Sequence, residues 1–310
     1  MNRRTFTDIL AQRIMFLLCL GVLSIAFFMV GGLLYRSHPV LAEAGLRQLF
    51  FSIDWRPTQG HFGMAGFIVG SLWVTVIAVI IAVPLSLLTA TYLSEYAHRR
   101  IREWARPIVD LLAGISPVVY GAWGVIAVVP LVRDYIMPFL SSRFPFFPFV
   151  SENYTGYTAF TGGLVLSIMI FPIIISIIEE VMRTIPREVR EASLALGATK
   201  WQMVKHVVFK KARPGIIAAV ILGLSRAFGE TMAVLMVAGC SLQGFPKSIF
   251  DSAYPLPALV ANTYGEMMSI PLFDAAVLLA ALVLLLVTIV FNVLGWLILL
   301  YFQRREARFG

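Results

Sequence analysis

Long apolar runs separated by charged segments dominate the chain and predict a bundle of membrane-spanning helices. An apolar run of about 20 residues crosses the hydrocarbon core of a bilayer as a helix. The pattern predicts six such spans, at about 14–34, 66–92, 107–131, 159–182, 216–238 and 273–301. The expected fold class is therefore an all-α membrane protein with six transmembrane helices.

Positive charges are distributed unevenly among the segments between these spans. Of the 25 Lys and Arg residues, 18 lie in the N-terminus, the 93–106 and 183–215 connections and the C-terminal tail, and six lie in the opposite segments. Cytoplasmic loops of membrane proteins carry an excess of Lys and Arg. The distribution therefore predicts that both termini and both of these connections are cytoplasmic.

The composition agrees with a membrane protein, since 59% of the residues are apolar and 14% are charged. A net charge of +8 would also suit a nucleic-acid-binding protein. The positions of the charges instead attribute it to topology and to attraction by anionic lipids, so we expect no nucleic-acid partner. The two cysteines and four scattered histidines predict neither a disulfide nor a metal site. Because the sequence has no G-x-x-x-x-G-K-[ST] phosphate loop, we expect the chain to bind no cofactor and to hydrolyse no ATP.

The fifth predicted span contains two ionisable residues, Arg226 and Glu230, one helical turn apart on the same face. Arg226 lies ten residues from one end of the Ile216–Ala238 run and twelve from the other, close to the bilayer midplane. An arginine at that depth costs about 2.5–3.5 kcal/mol on insertion scales, and it is a functional candidate. Two hypotheses follow. Either the residues form an ion pair that fixes packing, or Arg226 faces a translocation path and its planar guanidinium binds a tetrahedral oxyanion.

Proline and glycine residues predict helix breaks in the second and third spans. Pro84 lies well inside the second span, and Pro117 and Gly121 lie in a glycine-rich stretch of the third. Proline removes one backbone hydrogen bond from a helix. Irregular backbone within a membrane is buried in protein or lines a water-filled cavity. Small residues also permit close helix packing, and the sequence leaves both interpretations open.

The 183–215 connection predicts two short helices at an angle. Each has an apolar stripe at helical spacing, formed by Val189, Ala192, Ser193 and Leu196 in the first and by Trp201, Val204, Val207 and Val208 in the second. Gly197 fits a left-handed cap for the first helix, and Thr199 to Gln202 fits a capping box for the second. Because both stripes lie outside the bilayer, we expect them to contact a partner.

The first of these helices resembles a loop found in the permeases of binding-protein-dependent ABC importers. Glu191, Ala192, Ser193 and Gly197 match the EAA…G pattern of that family. The resemblance implies a type I ABC importer fold in which this cytoplasmic coupling helix docks on a separate ATPase. The sequence departs from the pattern further on, where Val207 to Lys210 replaces the usual Ile-x-Leu-Pro and the proline comes at Pro214.

Three further stretches resemble the PstC-type permeases of phosphate ABC importers. They are Gly223–Val234, Ile115–Pro130, in which Ser116-Pro117 reverses the usual order, and Trp55-x-Pro57…Phe62-Gly63. The resemblance covers about 55–238. It implies that Arg226, Glu230, Ser116 and Tyr120 line a translocation path, with Glu230 holding Arg226 in place or taking part in a gate.

The resemblance also implies a set of partners and a place in the cell. The partners are a second permease of PstA type, a PstB-type ATPase dimer that carries ATP and magnesium, a PstS-type extracytoplasmic phosphate-binding protein and the lipid bilayer. The chain would be a multi-pass protein of the bacterial inner membrane. We expect an N-terminal span and outer segment at 1–65, a permease core at 66–301 that includes the coupling loop 183–215, and a cytoplasmic tail at 302–310.

Three alternatives remain at this stage. An ABC permease for sulfate or molybdate would differ only in cargo, because both of these are also tetrahedral oxyanions. An ion-coupled anion carrier or channel would use Arg226 and Glu230 without ATP, but it would not need the 183–215 connection and commonly shows internal repeats. A membrane-embedded enzyme would need a cluster of catalytic groups at matched depth, and the sequence offers none.

Overall fold

The computed structural model describes residues 3–56, 59–144, 146–149, 154–242, 245–265 and 271–306. In this part of the chain, five helices are long and apolar enough to cross a membrane: Ile9–Ala42, Ala65–Tyr96, Pro117–Arg143, Ala159–Arg183 and Leu272–Tyr301. They correspond to the predicted spans except that the third is displaced toward the C-terminus and the fifth is missing. Pro57 and residues 307–310 of the predicted tail lie outside the described residues.

The bounds of the elements are as follows. The helices are α1 (Arg3–Phe51), α2 (Ala65–Thr91), α3 (Arg99–Gly114), α4 (Pro117–Trp123), α5 (Val129–Leu131), α6 (Met137–Arg143), α7 (Ala159–Arg183), α8 (Arg187–Ala195), α9 (Lys200–Met203), α10 (Phe209–Phe228), α11 (Met232–Val237), α12 (Leu256–Thr263) and α13 (Pro271–Glu306). Two short strands, β1 (Trp55–Arg56) and β2 (His61–Phe62), form an antiparallel hairpin. Turns of π-helix at Tyr92–Tyr96, Gly124–Val128, Val132–Ile136 and Val204–Val208 continue or join the helices.

Helix α7 is the central element of the larger hydrophobic core. It is buried along most of its length, and α2 runs beside it in the same direction. Helix α10 runs beside α7 in the opposite direction, with Gly215 against Val181 and Gly223 against Ile174. Glycine allows this approach because a Cβ at either position would collide with the side chain of α7.

A second core joins the two ends of the chain. Val40 and Leu49 of α1 are buried with residues of α13, and the Trp55 ring lies edge-on to Phe67 at a centroid distance of 5.3 Å. Helical structure therefore continues well beyond the predicted span, but α1 consists of two helices that meet at a kink at Gly45, whose φ of +65° is not helical. The apolar residues of α1 after residue 35 supply the burial that favours a helix there.

The prediction of a helix break at Pro84 is wrong, because α2 continues through it. Proline removes only one hydrogen bond, and membrane helices tolerate this where neighbouring helices hold them in place. Ser86, two residues on, is fully buried and donates a hydrogen bond to the Phe171 carbonyl of α7 at 3.4 Å. Gly121 does not break its helix either, since it lies inside α4 and packs closely against Ala233.

The packing of α2 on α7 generates a test. A Cβ at Gly163 would lie 2.5 Å from the Ile77 side chain and 3.1 Å from the Val74 carbonyl. We expect Gly163→Ala to destabilise the protein by about 1–3 kcal/mol through overpacking. The fraction of detergent-solubilised protein that remains monodisperse after heating would measure this. Gly32→Ala in α1 is the matched control, because nothing lies within 4 Å of its Cβ position. Equal heat resistance of the two variants would contradict the described packing.

Candidate functional site

The predicted fifth span is two helices rather than one. Helix α10 ends at Phe228 and α11 begins at Met232, so Gly229, Glu230 and Thr231 form a break inside the bundle. The chain continues along α7 on both sides of the break, because Gly162 of α7 packs against Val234 of α11. The segment therefore follows α7 in two pieces.

Side chains at the break bond to the backbone groups that the helix would otherwise use. The Thr231 N–H donates to Glu230 Oε1 at 3.2 Å, and Thr231 Oγ1 donates to the Gly229 carbonyl at 3.3 Å. Such local bonds compete with helix formation, and glycine has a low helix propensity. The prediction that Arg226 and Glu230 share one helical face is therefore wrong, because only Arg226 lies in a helix.

Arg226 lies in the last turn of α10 and is exposed in this chain. It follows Gly223, which contacts Ile174, by three residues, so it is level with about residue 171, the middle of α7. This agrees with the predicted mid-span depth. None of the ion pairs between described residues includes Arg226. The neighbouring Ser225 instead bonds to α13, donating to Asn292 Oδ1 at 2.6 Å.

Glu230 is half-buried and lies within the break, next to α2. It lines a cavity of about 10 Å³ together with Ser71 and Thr75 of α2. A space of this size is near the minimum for one water molecule. Arg226 and Glu230 therefore face different surroundings, and the two residues do not form the ion pair that the sequence offered as one hypothesis.

A second break separates α3 from α4 at Ile115 and Ser116. The predicted helix break at Pro117 thus falls one residue after the observed one, with proline at the first position of the new helix, where its missing N–H has no cost. Ser116 is exposed. The Tyr120 side chain is buried, and its hydroxyl donates to the Leu112 carbonyl at 2.8 Å, across the break.

The two breaks lie side by side. Gly121 of α4 packs against Ala233 of α11, and Gly124 packs against Val237. The two helices therefore run in the same direction, with Gly121 four residues after the start of α4 and Ala233 one residue after the start of α11. This brings Ser116 to about the level of Glu230. The structure thus places the start of α4 beside the break that follows Arg226.

The connection after α7 turns sharply between α8 and α9, as the sequence predicts. This turn at Gly197 is called the elbow below. Gly197 has a φ of +85°, which is the left-handed conformation that favours glycine. Its N–H donates to the Leu194 carbonyl at 3.0 Å and the Ala198 N–H donates to the Ser193 carbonyl at 3.3 Å, which together form a Schellman cap. Thr199 and Gln202 form the predicted capping box. Both caps are confirmed.

The two sides of the elbow differ in exposure. In α8, which the structure describes in full, no residue is buried, Glu191 and Ala192 are exposed, and Leu196 just beyond its end is 89% exposed. After the elbow, Val204 and Val208 are fully buried. The prediction of a second short helix is wrong, because the chain stays helical from Lys200 to the end of α10. Val204 and Val208 of its apolar stripe thus pack inward, whereas Trp201 is 51% exposed and α8 keeps an exposed surface.

A buried carboxylate joins α3 to α7. Glu179 has a side chain only 4% exposed, and Arg106 of α3 approaches it at 3.0 Å, with Arg183 further away at 3.7 Å. These residues border a cleft of about 580 Å³. Among the described residues, no group of three His, Cys, Asp or Glu side chains could hold a metal ion.

The class of protein follows from the family that the chain matches, and a helix broken at mid-span and an exposed elbow are the structural features of its site. Residues 82–307 match the family described as "Binding-protein-dependent transport system inner membrane component". The chain is therefore a multi-pass membrane subunit of a transporter, and this membership argues against the carrier and enzyme alternatives.

Closer relatives narrow the class. The chain is 36% identical over 279 residues to the phosphate transport system permease protein PstC of Xylella fastidiosa, covering 89% of this chain and 85% of the relative. It is 34% identical over 290 residues to the probable PstC of Methanocaldococcus jannaschii, covering 92% and 90%. The chain belongs to the PstC family of phosphate transport permeases.

The fold has a counterpart among solved structures. The crystal structure of a bacterial alginate ABC transporter, in complex with its alginate-bound periplasmic protein, contains a chain that matches with a TM-score of 0.54 and 16% identity. The match covers 99% of this chain and 98% of that chain. At this identity the similarity concerns the fold alone, and it is the fold of an ABC importer permease.

The Tyr120 hydroxyl offers a test of its predicted position on a path. Because the hydroxyl already bonds to Leu112, we expect Tyr120→Phe to cost about 1 kcal/mol of stability and to leave transport unchanged. Thermal stability in detergent and uptake by cells that produce the variant would be measured together. Loss of uptake at unchanged stability would instead assign the hydroxyl to the path.

Proposed function

We propose that the chain forms half of the translocation path of an ATP-driven importer of inorganic phosphate. The cargo is suggested by the names of its relatives, two of which are called phosphate transport permeases. The observation that carries the proposal is the position of Arg226, an exposed guanidinium at mid-span beside a helix break. A planar guanidinium suits a tetrahedral oxyanion and stays charged at any working pH.

The path lies between this chain and a second permease of PstA type. Protein or water must cover the exposed Arg226, because the transfer of a guanidinium into lipid has an unfavourable free energy. An aqueous passage between two permeases meets that requirement. Ser116, at the level of the same break, borders the passage, and Glu230 acts from behind the break as part of a gate.

The chain crosses the membrane six times, with α10 and α11 together forming the fifth crossing. Both pieces run along α7, which is itself long enough to span. Both termini and the elbow are cytoplasmic, in agreement with the excess of Lys and Arg on that side. The exposed surface at Glu191, Ala192, Ser193 and Leu196 docks on a PstB-type ATPase dimer that binds ATP and magnesium, and a PstS-type protein delivers phosphate from the other side.

The role of Arg226 can be tested by substitution. We expect Arg226→Ala to lower phosphate uptake about a hundredfold, because the anion loses its main charge partner in the path. The assembly should remain intact, since Arg226 has no described ion pair to lose. Uptake of labelled phosphate, with sulfate as competitor, and copurification of the partner subunits are the measurements.

Arg133→Ala is the matched control for Arg226→Ala. Arg133 also lies in a membrane-spanning helix and is about half exposed, but it pairs with the adjacent Asp134 at 2.7 Å. Normal uptake by the Arg226 variant would refute the path-facing role. Failure of that variant to assemble would support the packing role instead. Inhibition of phosphate uptake by sulfate would indicate that phosphate is the wrong cargo.

The docking surface can be tested at Leu196. Because this side chain is 89% exposed, Leu196→Glu should leave the fold of the chain intact. We expect it to abolish copurification of the ATPase, since a carboxylate would be buried without a partner in the interface. Leu196→Ala, which removes apolar area without adding charge, should retain most of the ATPase. Undiminished copurification with Leu196→Glu would place the ATPase elsewhere.

A further inference from the structure

One inward-facing side chain of α8, that of Arg190, bonds to the membrane bundle. Arg190 donates from Nη2 to Glu95 Oε1 at 2.9 Å and from Nε to Oε2 at 3.2 Å. The two side chains are only 16% and 5% exposed. A two-pronged contact between guanidinium and carboxylate fixes orientation as well as distance. The pair therefore holds α8 in one position relative to the end of α2.

The same guanidinium binds the end of α7. Arg190 donates from Nη2 to the Met182 carbonyl at 2.8 Å and from Nη1 to the Ile185 carbonyl. The last carbonyls of a helix have no partner within the helix, and cationic side chains are favoured there. One side chain of α8 thus contacts both helices, α2 and α7, that form the main packed pair of the bundle.

Two more cations contact the segment Leu93–Tyr96, which is part of the π-helical turn that continues α2. Arg102 of α3 donates to the carbonyls of Leu93 and Ser94 at 2.8 and 2.9 Å. Lys200, at the start of α9, lies 4.7 Å from the centre of the Tyr96 ring. Ser94 donates to Glu95 and so orients the carboxylate. The segment Leu93–Tyr96 is therefore where both sides of the elbow meet the bundle.

Helices α2 and α7 in turn reach the break that follows Arg226. Ile174 of α7 packs against Gly223 of α10, and Ser71 and Thr75 of α2 line the same small cavity as Glu230. A displacement of α8 that is passed to α2 and α7 would therefore reach both sides of the break. Packed helices of this kind move as bodies rather than deforming continuously.

We propose that Arg190 and Glu95 form the joint through which α8 moves α2 and α7, and that Arg190 is a positioning residue for the coupling of ATP hydrolysis to transport. The inference rests on the proposed function, in which α8 docks on the ATPase. The joint acts after docking, because Arg190 faces the bundle and the docking surface around Leu196 faces away from it.

The test measures phosphate uptake and ATP hydrolysis on the same preparation. The transporter, purified with its ATPase and second permease and reconstituted with the phosphate-binding protein, would carry Arg190→Ala or Glu95→Gln. We expect the ATPase to stay bound and to hydrolyse ATP, while the phosphate transported per ATP falls about tenfold. The double variant should be no worse than Arg190→Ala alone, because Arg190→Ala already removes the contact with Glu95.

Two further variants separate the joint from a general effect of charge or folding. Arg190→Lys keeps the charge but not the two-pronged contact, so it should recover part of the lost coupling. The pair Arg99 and Glu103 has a similar distance, 2.7 Å, but its side chains are 91% and 58% exposed. Arg99→Ala should therefore leave the phosphate transported per ATP unchanged.

Two results would overturn the proposal. One is an unchanged ratio of phosphate to ATP in the Arg190 and Glu95 variants. The other is loss of the bound ATPase in Arg190→Lys and Glu95→Gln, which would make the pair part of folding or docking. Failure of the proposed function would look different, because the unmodified complex would then transport no phosphate or Leu196→Glu would keep its ATPase.

Discussion

Backbone groups that leave a helix inside a membrane must find new partners, and this constraint shapes the centre of the protein. Water is not available in the hydrocarbon core to satisfy them. At the break between α10 and α11, the side chains of Glu230 and Thr231 bond to local backbone groups. At the break between α3 and α4, Tyr120 supplies the bond to Leu112. These three side chains are thereby hydrogen-bonded. The Arg226 guanidinium, in contrast, has no ion-pair partner among the described residues.

The arrangement around α7 connects this centre to the end of the bundle that bears α8. Glycines on α7 and α10 bring neighbouring helices into direct contact with α7 along its length. A close-packed set of helices transmits displacement because its interior has little free volume. Arg190 contacts the end of α7 and the π-helical turn that continues α2, and the break after Arg226 lies beside the first half of the same two helices. The fold thus provides a mechanical route of packed side chains between the elbow and the break.

The parts of the structure that depend on local sequence could be predicted, and those that depend on distant contacts could not. The spans followed from long apolar runs, and the elbow followed from Gly197 and from the spacing of Thr199 and Gln202. The break at Gly229 was missed because hydropathy does not register a local competition for backbone hydrogen bonds. Pro84 was overinterpreted because packing against α7 maintains the helix. The bond between Arg190 and Glu95 joins residues 95 positions apart, and no periodicity reveals such a contact.

Because Arg226 and Glu230 are separated, the affinity of the proposed path for phosphate depends on Arg226 without a paired carboxylate. The resemblance implied that Glu230 holds Arg226 in place, but Glu230 lies next to α2 and forms no ion pair with Arg226. A single charge pair at 4 Å contributes about 4 kcal/mol at an effective dielectric constant of about 20. That free energy corresponds to a dissociation constant of about 1 mM even before the anion loses its hydration. One guanidinium is therefore weak enough to release its anion unaided, and a nearby carboxylate is not required for release. Glu230 is then free to act on the helix break itself, where its carboxylate already holds the backbone of Thr231.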